Sequence, residues 1–307
     1  MISLEPEKMP LPLNLIKNFH DKLSQFVQWG ESKGIKFNES RVLKYLELLS
    51  SYRAALEGNQ IEALMKSRDA AYLDQVHLEV AELIYLYESL RDFDDPRLKT
   101  RFQSIVRGPE LLQDDVTGDS RDIQFELVIA ALLLRVRINN LQLHPRHDLV
   151  CSLHHNPLII ECKRPRKDRT LRDAYAKAAY QIETSDLVAA NPSTKGIVAL
   201  DLTQTVVPAL TGSQFPSPEE MEKAFVRQFI KAWNGLQITI SDYSDRVSAL
   251  HLYCQAPWYL ANSCSLPSVP SQHNLVVINV KDYQRNQKIA NTYGDFLKRI
   301  STISFVR

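Results

Sequence analysis

Cysteine is scarce in this sequence, and no long apolar run occurs. The only cysteines are at positions 151, 162, 254 and 264, and the absence of a Cys-x-x-Cys pair argues against a zinc ribbon. The longest apolar stretch, residues 127–134, is much shorter than the roughly 20 residues that a membrane-spanning helix needs. Because the N-terminus also has no secretory pattern, we expect a reduced, cytoplasmic protein with no membrane contact.

A large net charge of either sign is also lacking. The 37 Lys+Arg residues nearly balance the 36 Asp+Glu residues, so any surface for nucleic acid must be a local basic patch. No Gly-x4-Gly-Lys-Ser/Thr sequence occurs, so there is no sign of a P-loop ATPase motor. The chain has 307 residues, 44% of them hydrophobic, which indicates a globular protein with one large domain or two smaller ones.

The first third of the chain is predicted to be helical. Apolar residues recur there at three- and four-residue steps. We expect residues 1–110 to form a helical N-terminal domain that recognises substrate, a partner protein or a second copy of the chain. The polar stretch 108–121 predicts a linker. Residues 120–307 are then expected to form a second domain.

This second domain has the pattern of a mixed sheet flanked by helices, an α/β (α+β) fold. A helix over 121–136 is apolar on nearly every side and should be buried. The central strands are predicted at 148–153, 158–163 and 196–202, with 141–143 as a candidate strand. The remaining predicted elements are helices at 170–190, 218–234 and 283–298 and strands near 247–254 and 275–280.

One pair of predicted strands carries acidic and basic residues in a pattern suited to phosphodiester hydrolysis. Asp148 is followed, after twelve intervening residues, by Glu161-Cys162-Lys163. Hydrolysis needs a metal to offset phosphate charge and to lower the pKa of the attacking water, and Mg²⁺ prefers one or two carboxylates with waters. Asp148 and Glu161 can supply the carboxylates, and Lys163 can position or activate the water.

The register of these strands can be predicted from the turn between them. If Leu153 pairs with Leu158, then Asp148 faces Lys163, and the period of two puts Asp148, Glu161 and Lys163 on one face. Cys151 and Cys162 would lie on the opposite face as small buried hydrophobic residues. A slip of one residue would separate Asp148 from Glu161 and Lys163.

Glu126 is the only acidic residue between Asp122 and Asp148, and it falls within the predicted buried helix. An ionised carboxylate there is costly unless it is paired or binds a metal. A salt bridge to Arg135 or Arg137 is the structural alternative to a metal-binding role.

The segment from Glu126 through HDLVCSLHHNPLIIECK resembles the PD-(D/E)XK, or restriction-endonuclease-like, nuclease superfamily. The resemblance covers roughly residues 120–202 and implies a core of helix, three-stranded meander, helix and strand. It also implies metal ligation by Asp148, Glu161 and Glu126, with Lys163 as the catalytic lysine and Mg²⁺, or Mn²⁺ in its place, as the cofactor. His147 stands where proline precedes the acid in the motif. Gln181 matches a helix glutamine of some branches. Four residues later, where those branches have a tyrosine, this sequence has Ser185.

A basic run follows the motif and predicts contacts to phosphate. The expected nucleic-acid contacts are Arg164, Arg166, Lys167, Arg169, Gln181 and His147. A solvated helix start is the alternative for the basic residues. Zinc binding is the rival interpretation for the histidines at 144, 147, 154 and 155, although their spacing does not match the usual His-x3-His.

Two classes of function follow from these patterns. The first is a metal-dependent endonuclease acting on DNA rather than RNA, in restriction or anti-phage defence by analogy with the superfamily. The second is a catalytically inactive protein that keeps the nuclease fold and binds nucleic acid or acts as a scaffold. The four polar residues at positions 126, 148, 161 and 163 favour the first.

Overall fold

The computed structural model describes residues 13–58, 70–111, 114, 118–153, 156–167, 170–206, 215–236, 244–258, 268–278 and 283–300. The helices are α1 (Leu13–Ser32), α2 (Arg41–Glu57), α3 (Ala70–Leu90), α4 (Leu98–Arg107), α5 (Asp119–Arg135), α6 (Leu171–Glu183), α7 (Asp186–Ala190), α8 (Thr203–Val206), α9 (Pro218–Leu236) and α10 (Tyr283–Ile300). The strands are β1 (Asn139–Leu143), β2 (Leu149–Leu153), β3 (Asn156–Lys163), β4 (Lys195–Asp201), β5 (Val247–Trp258) and β6 (Ser268–Ile278).

The six strands form one mixed sheet in chain order. β1, β2 and β3 make an antiparallel meander, β4 and β5 run parallel to β3, and β6 returns antiparallel. β4 is buried along its whole length, as expected of a parallel strand covered on both faces. The predicted mixed sheet flanked by helices is therefore confirmed, and the candidate strand at 141–143 is part of β1.

Hydrophobic side chains cover both faces of this sheet. On one face, Cys151, Ile160 and Ile197 belong to a cluster that also takes in residues of α1–α5 and α10. On the other face, Ile159 and Val198 pack with residues of α6 and α9. The N-terminal helices thus share one continuous hydrophobic cluster with the sheet. The division into domains 1–110 and 120–307 stays a prediction.

The β2–β3 pairing is offset by two residues from the predicted register. Val150 pairs with Ile159 rather than with Glu161, and pairing continues to Leu153 and Asn156, within the segment predicted as the turn. A shift by two residues keeps every side chain on its predicted face, because the side-chain period of a strand is two. Cys151 and Cys162 are accordingly buried on the same face, as predicted.

The helix predicted over 170–190 is two helices. The backbone of Ser185 is extended, with φ −67° and ψ 134°, and its side chain accepts a hydrogen bond from the Leu187 amide as the N-cap of α7. A serine at this position competes with the helical backbone for hydrogen bonds, which explains the break. The break directs Ser185 toward the polar site described below.

A set of buried charged residues connects α2 and α3 to α5 and to the ends of β3 and β4. Arg41 and Arg121 both pair with Glu79, and Gln124 donates to Glu82 at 2.6 Å. We call this set the buried arginine network; it consists of Arg41, Glu79, Glu82, Arg121, Gln124, Arg164 and Asp201, all of them buried.

No helix among the described residues is long and apolar enough to cross a membrane. Cys151, Cys162 and Cys254 are buried free thiols. Burial raises the pKa of the Cys151 thiol to about 12, so this thiol stays protonated and behaves as a core residue.

Candidate active site

Asp148, Glu161 and Lys163 meet at one end of the β2–β3 hairpin. Asp148 directly precedes β2, and its Oδ2 accepts a hydrogen bond from the Cys162 amide at 2.6 Å. The Lys163 Nζ lies 3.5 Å from Asp148 Oδ2 and 3.4 Å from Glu161 Oε2. The strand periodicity thus brings together the three residues that the sequence singled out. Their roles in catalysis stay predictions.

Glu126 projects from α5 toward the same group. Its side chain is 2% exposed, and its Oε1 lies 3.3 Å from Arg101 Nη2, within ion-pair distance. That oxygen has no hydrogen-bond partner in the described part of the chain, so the pair is poorly aligned. Burial, and then repulsion from Asp148, raises the pKa of Glu126 to about 9 although Arg101 acts to lower it. The ion-pair partner of Glu126 is therefore Arg101, and not Arg135 or Arg137 as the structural alternative predicted.

Glu161 is fully buried between two donors. His147 Nδ1 lies 2.7 Å from its Oε1, and Lys163 lies near its Oε2. Burial nevertheless raises the pKa of Glu161, with the hydrogen bond from His147 acting in the opposite direction. Burial also acts to lower the pKa of Lys163, but Asp148 and Glu161 raise it overall. The lysine is therefore a firmly protonated ammonium.

The charges at this site do not balance. Among the described residues, three acidic groups, Glu126, Asp148 and Glu161, face two cations, Lys163 and Arg101, so ionisation of all three would leave an excess of negative charge. Burial is the largest cause of the raised carboxyl pKa values of Glu126 and Glu161, and repulsion from Asp148 raises both further. An added cation would relieve the repulsion.

The oxygen donors fit a magnesium ion better than a softer metal. Among the described residues no three His, Cys, Asp or Glu side chains form a preassembled metal site. Mg²⁺ usually takes one or two carboxylates and keeps several waters, so Asp148 and Glu161 suffice as its protein ligands. The Asp148 side chain is 25% exposed, which leaves the site reachable from solvent.

Arg164 does not lie where the basic run predicted it. Its side chain is buried, with Nε 2.5 Å from Asp201 Oδ2 and Nη2 3.6 Å from Glu82 Oε1. The predicted phosphate contact by Arg164 is therefore withdrawn, because its guanidinium is already engaged by two protein carboxylates. The guanidinium of Arg164 belongs to the buried arginine network.

The rest of the run is on the surface. Arg166 and Lys167 are exposed. Gly118 has φ +85°, a backbone conformation that favours glycine, and the flexible end of Arg166 lies close to it, with Nη2 2.9 Å from where a side chain would begin. Arg169 lies outside the described residues, as do the histidines at 154 and 155.

Gln181 lies on α6, and its buried side-chain oxygen has no hydrogen-bond partner in the described part of the chain. The contact of Gln181 with nucleic acid stays a prediction.

His147 is in the interior of the site. Its ring stacks on His144 with centroids 5.1 Å apart, Nδ1 faces Glu161, and Nε2 lies 2.8 Å from Ser185 Oγ. Both ring nitrogens are engaged by protein groups, so the predicted contact to nucleic acid does not fit this placement.

Two residues of the site were missed by sequence reasoning. Arg101 comes from α4, 25 positions before Glu126, and no local pattern marks it. Ser185 was noted only as a departure from a family motif. A helix-breaking serine within a predicted continuous helix was the available signal.

Neither a scan against protein-family models nor a search of curated proteins finds a match for this chain. The geometry and chemistry of the site therefore carry the functional argument.

Proposed function

We propose that this protein is a Mg²⁺-dependent nuclease that hydrolyses phosphodiester bonds. The observation that carries the proposal is the meeting of Asp148, Glu161 and Lys163 within 3.5 Å contacts at one sheet end, beside Glu126, whose pKa is raised to about 9. A buried carboxyl group with a strongly raised pKa near further carboxylates, in a place that solvent can reach, is a feature of functional sites.

The fold supports a restriction-endonuclease-like core as the finer form of this proposal. The order α5, β1, β2, β3, α6 and β4 reproduces the helix, three-stranded meander, helix and strand that the superfamily resemblance implies. The carboxylates follow the same assignment, with Asp148 directly before β2 and Glu161 near the end of β3.

Each side chain has a separate task in this proposal. Asp148 and Glu161 would hold the metal ion, with Glu126 ligating it directly or through a water. Bound Mg²⁺ supplies charge for the phosphate and a lowered pKa for the attacking water. Lys163 cannot ligate a cation; its ammonium lies beside both carboxylates, where it orients the water or the phosphate. Arg101 is half-buried and adds a second positive charge at the same place.

The proposed substrate is DNA rather than RNA, and the proposed setting is the cytoplasm, in restriction or defence against foreign DNA. This setting rests on analogy with the superfamily. A partner protein, or a second copy of the chain, would bind through the helical N-terminal region.

The decisive experiment is a cleavage assay on supercoiled plasmid and on single-stranded RNA, in Mg²⁺, in Mn²⁺ and in EDTA. Cleavage should need the metal. The substitutions Asp148→Ala and Lys163→Ala should abolish it, and Glu126→Gln should reduce it less, because a neutral oxygen still accepts a hydrogen bond from a metal-bound water.

The matched controls are Asp92→Ala and Lys33→Ala, which remove the same charges from exposed positions in the helical region. Both should cut like the wild type. If Asp148→Ala and Lys163→Ala also cut at the wild-type rate, this site is not the active centre. If the wild-type protein binds DNA in Mg²⁺ without cutting it, the inactive binding or scaffold protein is the correct alternative.

A further inference from the structure

A chain of hydrogen bonds runs from Glu161 through His147 to Ser185. His147 Nδ1 lies 2.7 Å from Glu161 Oε1, and His147 Nε2 lies 2.8 Å from Ser185 Oγ. All three side chains are buried. Such a chain is expected to be strong, because buried hydrogen bonds are little weakened by competing water.

The N-cap of α7 sets the direction of these hydrogen bonds. Ser185 Oγ accepts from the Leu187 amide at 3.1 Å. Its single proton can then be donated to His147 Nε2, which in the neutral imidazole places the one ring N–H on Nδ1. The Nδ1–H group points at Glu161 and donates to its Oε1.

The same junction is held by a second contact. Arg146, next to His147, forms an ion pair with Asp186, which is next to Ser185. The segment before β2 and the start of α7 are thus joined at two adjacent positions. This arrangement exists only because the predicted continuous helix breaks at Ser185.

We infer that His147 and Ser185 are positioning residues that fix the Glu161 carboxylate for metal binding, an inference that rests on the proposed function. His147 holds Oε1, so the carboxylate keeps one orientation and presents Oε2, beside Lys163, to the cation. Groups that orient a metal ligand in this way typically change metal affinity or activity by about 10–100-fold when removed.

The Ser–His–Glu order also resembles the triad of a serine hydrolase, in which the serine is the nucleophile. Two observations oppose that role. Ser185 is 5% exposed, and its oxygen already accepts the N-cap hydrogen bond of α7. A nucleophile must reach its substrate, whereas this hydroxyl faces the protein interior.

The test is Mn²⁺ binding to the full-length protein at one pH, followed by the electron paramagnetic resonance signal of free Mn²⁺. Ser185→Gly removes the hydroxyl but leaves a residue that N-caps nearly as well as serine. His147→Leu removes the donor to Glu161. Both should weaken Mn²⁺ binding by about 10–100-fold. Ser185→Thr and His147→Asn, which keep a hydroxyl and a donor, should restore much of the affinity.

Thr184→Ala is the matched control. Its hydroxyl donates to the Tyr180 carbonyl at 2.8 Å, one position before Ser185, and Mn²⁺ affinity should not change. A second readout needs no metal: ¹⁵N NMR of the histidine rings should show His147 protonated at Nδ1 in the wild type and a changed pattern in Ser185→Gly.

The outcomes separate the inference from the proposed function. If Asp148→Ala weakens Mn²⁺ binding but Ser185→Gly and His147→Leu do not, the positioning inference is wrong and the metal site stands. If Asp148→Ala leaves Mn²⁺ binding unchanged, or the wild type binds none, both fail. Labelling of Ser185 by a fluorophosphonate would instead identify a nucleophile and overturn the positioning role.

Discussion

The buried arginine network and the candidate active site both place charged side chains inside the protein, but their charges are matched differently. The network contains three arginines, Arg41, Arg121 and Arg164, and three carboxylates. The active site has three carboxylates against Lys163 and Arg101. With every acidic group ionised, one region is balanced and the other has an excess of negative charge.

The carboxyl pKa values reflect this difference. Burial acts to raise the pKa of Glu79, yet Arg121 and Arg41 lower it overall. At the active site, burial and Asp148 raise the pKa of Glu126 to about 9. Glu82 is an exception within the network, because burial raises its pKa and the arginine nearest to it, Arg164, lies closer to Asp201.

Under the proposed function, this contrast separates structural charge from charge that binds a metal. Each buried ion in the network has a partner that offsets its desolvation, so the network joins the N-terminal helices to the sheet. At the active site the offset is incomplete, which costs stability in the metal-free protein and leaves room for a cation. The comparison therefore predicts opposite responses to mutation.

The largest effect should come from breaking the network. Arg164→Ala leaves Asp201 and Glu82 buried without their cation, and the free energy of unfolding should fall by about 3–5 kcal/mol. Urea denaturation followed by circular dichroism measures this change. Lys167→Ala, three positions later on the surface, is the control and should stay within about 0.5 kcal/mol of the wild type. An equally small effect for Arg164→Ala would show that the network is not a structural link.

Glu126→Gln should stabilise the metal-free protein at alkaline pH. The pKa of Glu126 is raised from the ordinary 4.5 to about 9. Its stabilising contribution is therefore complete below pH 4.5 and is lost as the pH rises through 9. Glutamine does not ionise, so the gain in free energy of unfolding over the wild type should grow from pH 5.5 to 8.5, to on the order of 1–3 kcal/mol.

Glu79→Gln gives the opposite sign and serves as the comparison for Glu126→Gln. The pKa of Glu79 is lowered, so its ionised form stabilises the fold above the ordinary carboxyl range and that contribution is lost as the pH falls. Over pH 5.5–8.5, Glu79→Gln should destabilise the protein throughout. If chemical denaturation gives both variants the same sign, the two regions do not differ in charge balance.

The smallest effect should appear at the boundary between the two regions, the basic run 164–167. Arg166→Ala combined with Lys167→Ala should weaken DNA binding and lower the log–log salt slope by about 0.9 for each phosphate that is no longer neutralised. The measurement is fluorescence anisotropy with labelled duplex DNA over a range of salt. A double variant at Lys33 and Lys36, exposed on the helical region, is the control. An unchanged slope for the 166/167 variant would make these residues a solvated surface.

Periodicity was enough to predict the sheet and the shared face of the site. Period two places Asp148, Glu161 and Lys163 on one face in any register that differs by an even number of residues. The register itself was predicted two residues away from the observed one, because the His-His-Asn-Pro stretch favoured a longer turn. This error does not change which residues share a face, because the shared face depends only on whether the register shift is an even or an odd number of residues.

The sequence by itself determined the order of the strands, the buried α5 and the residue types that meet at the end of β3. Only the tertiary structure decided which cations lie near the acidic groups. It placed Arg164 inside the network, brought Arg101 to Glu126, and turned Ser185 toward His147. The physical reason is that strand and helix periods are local properties of the chain, whereas the partner of a buried charge is whichever side chain the packed elements bring near it.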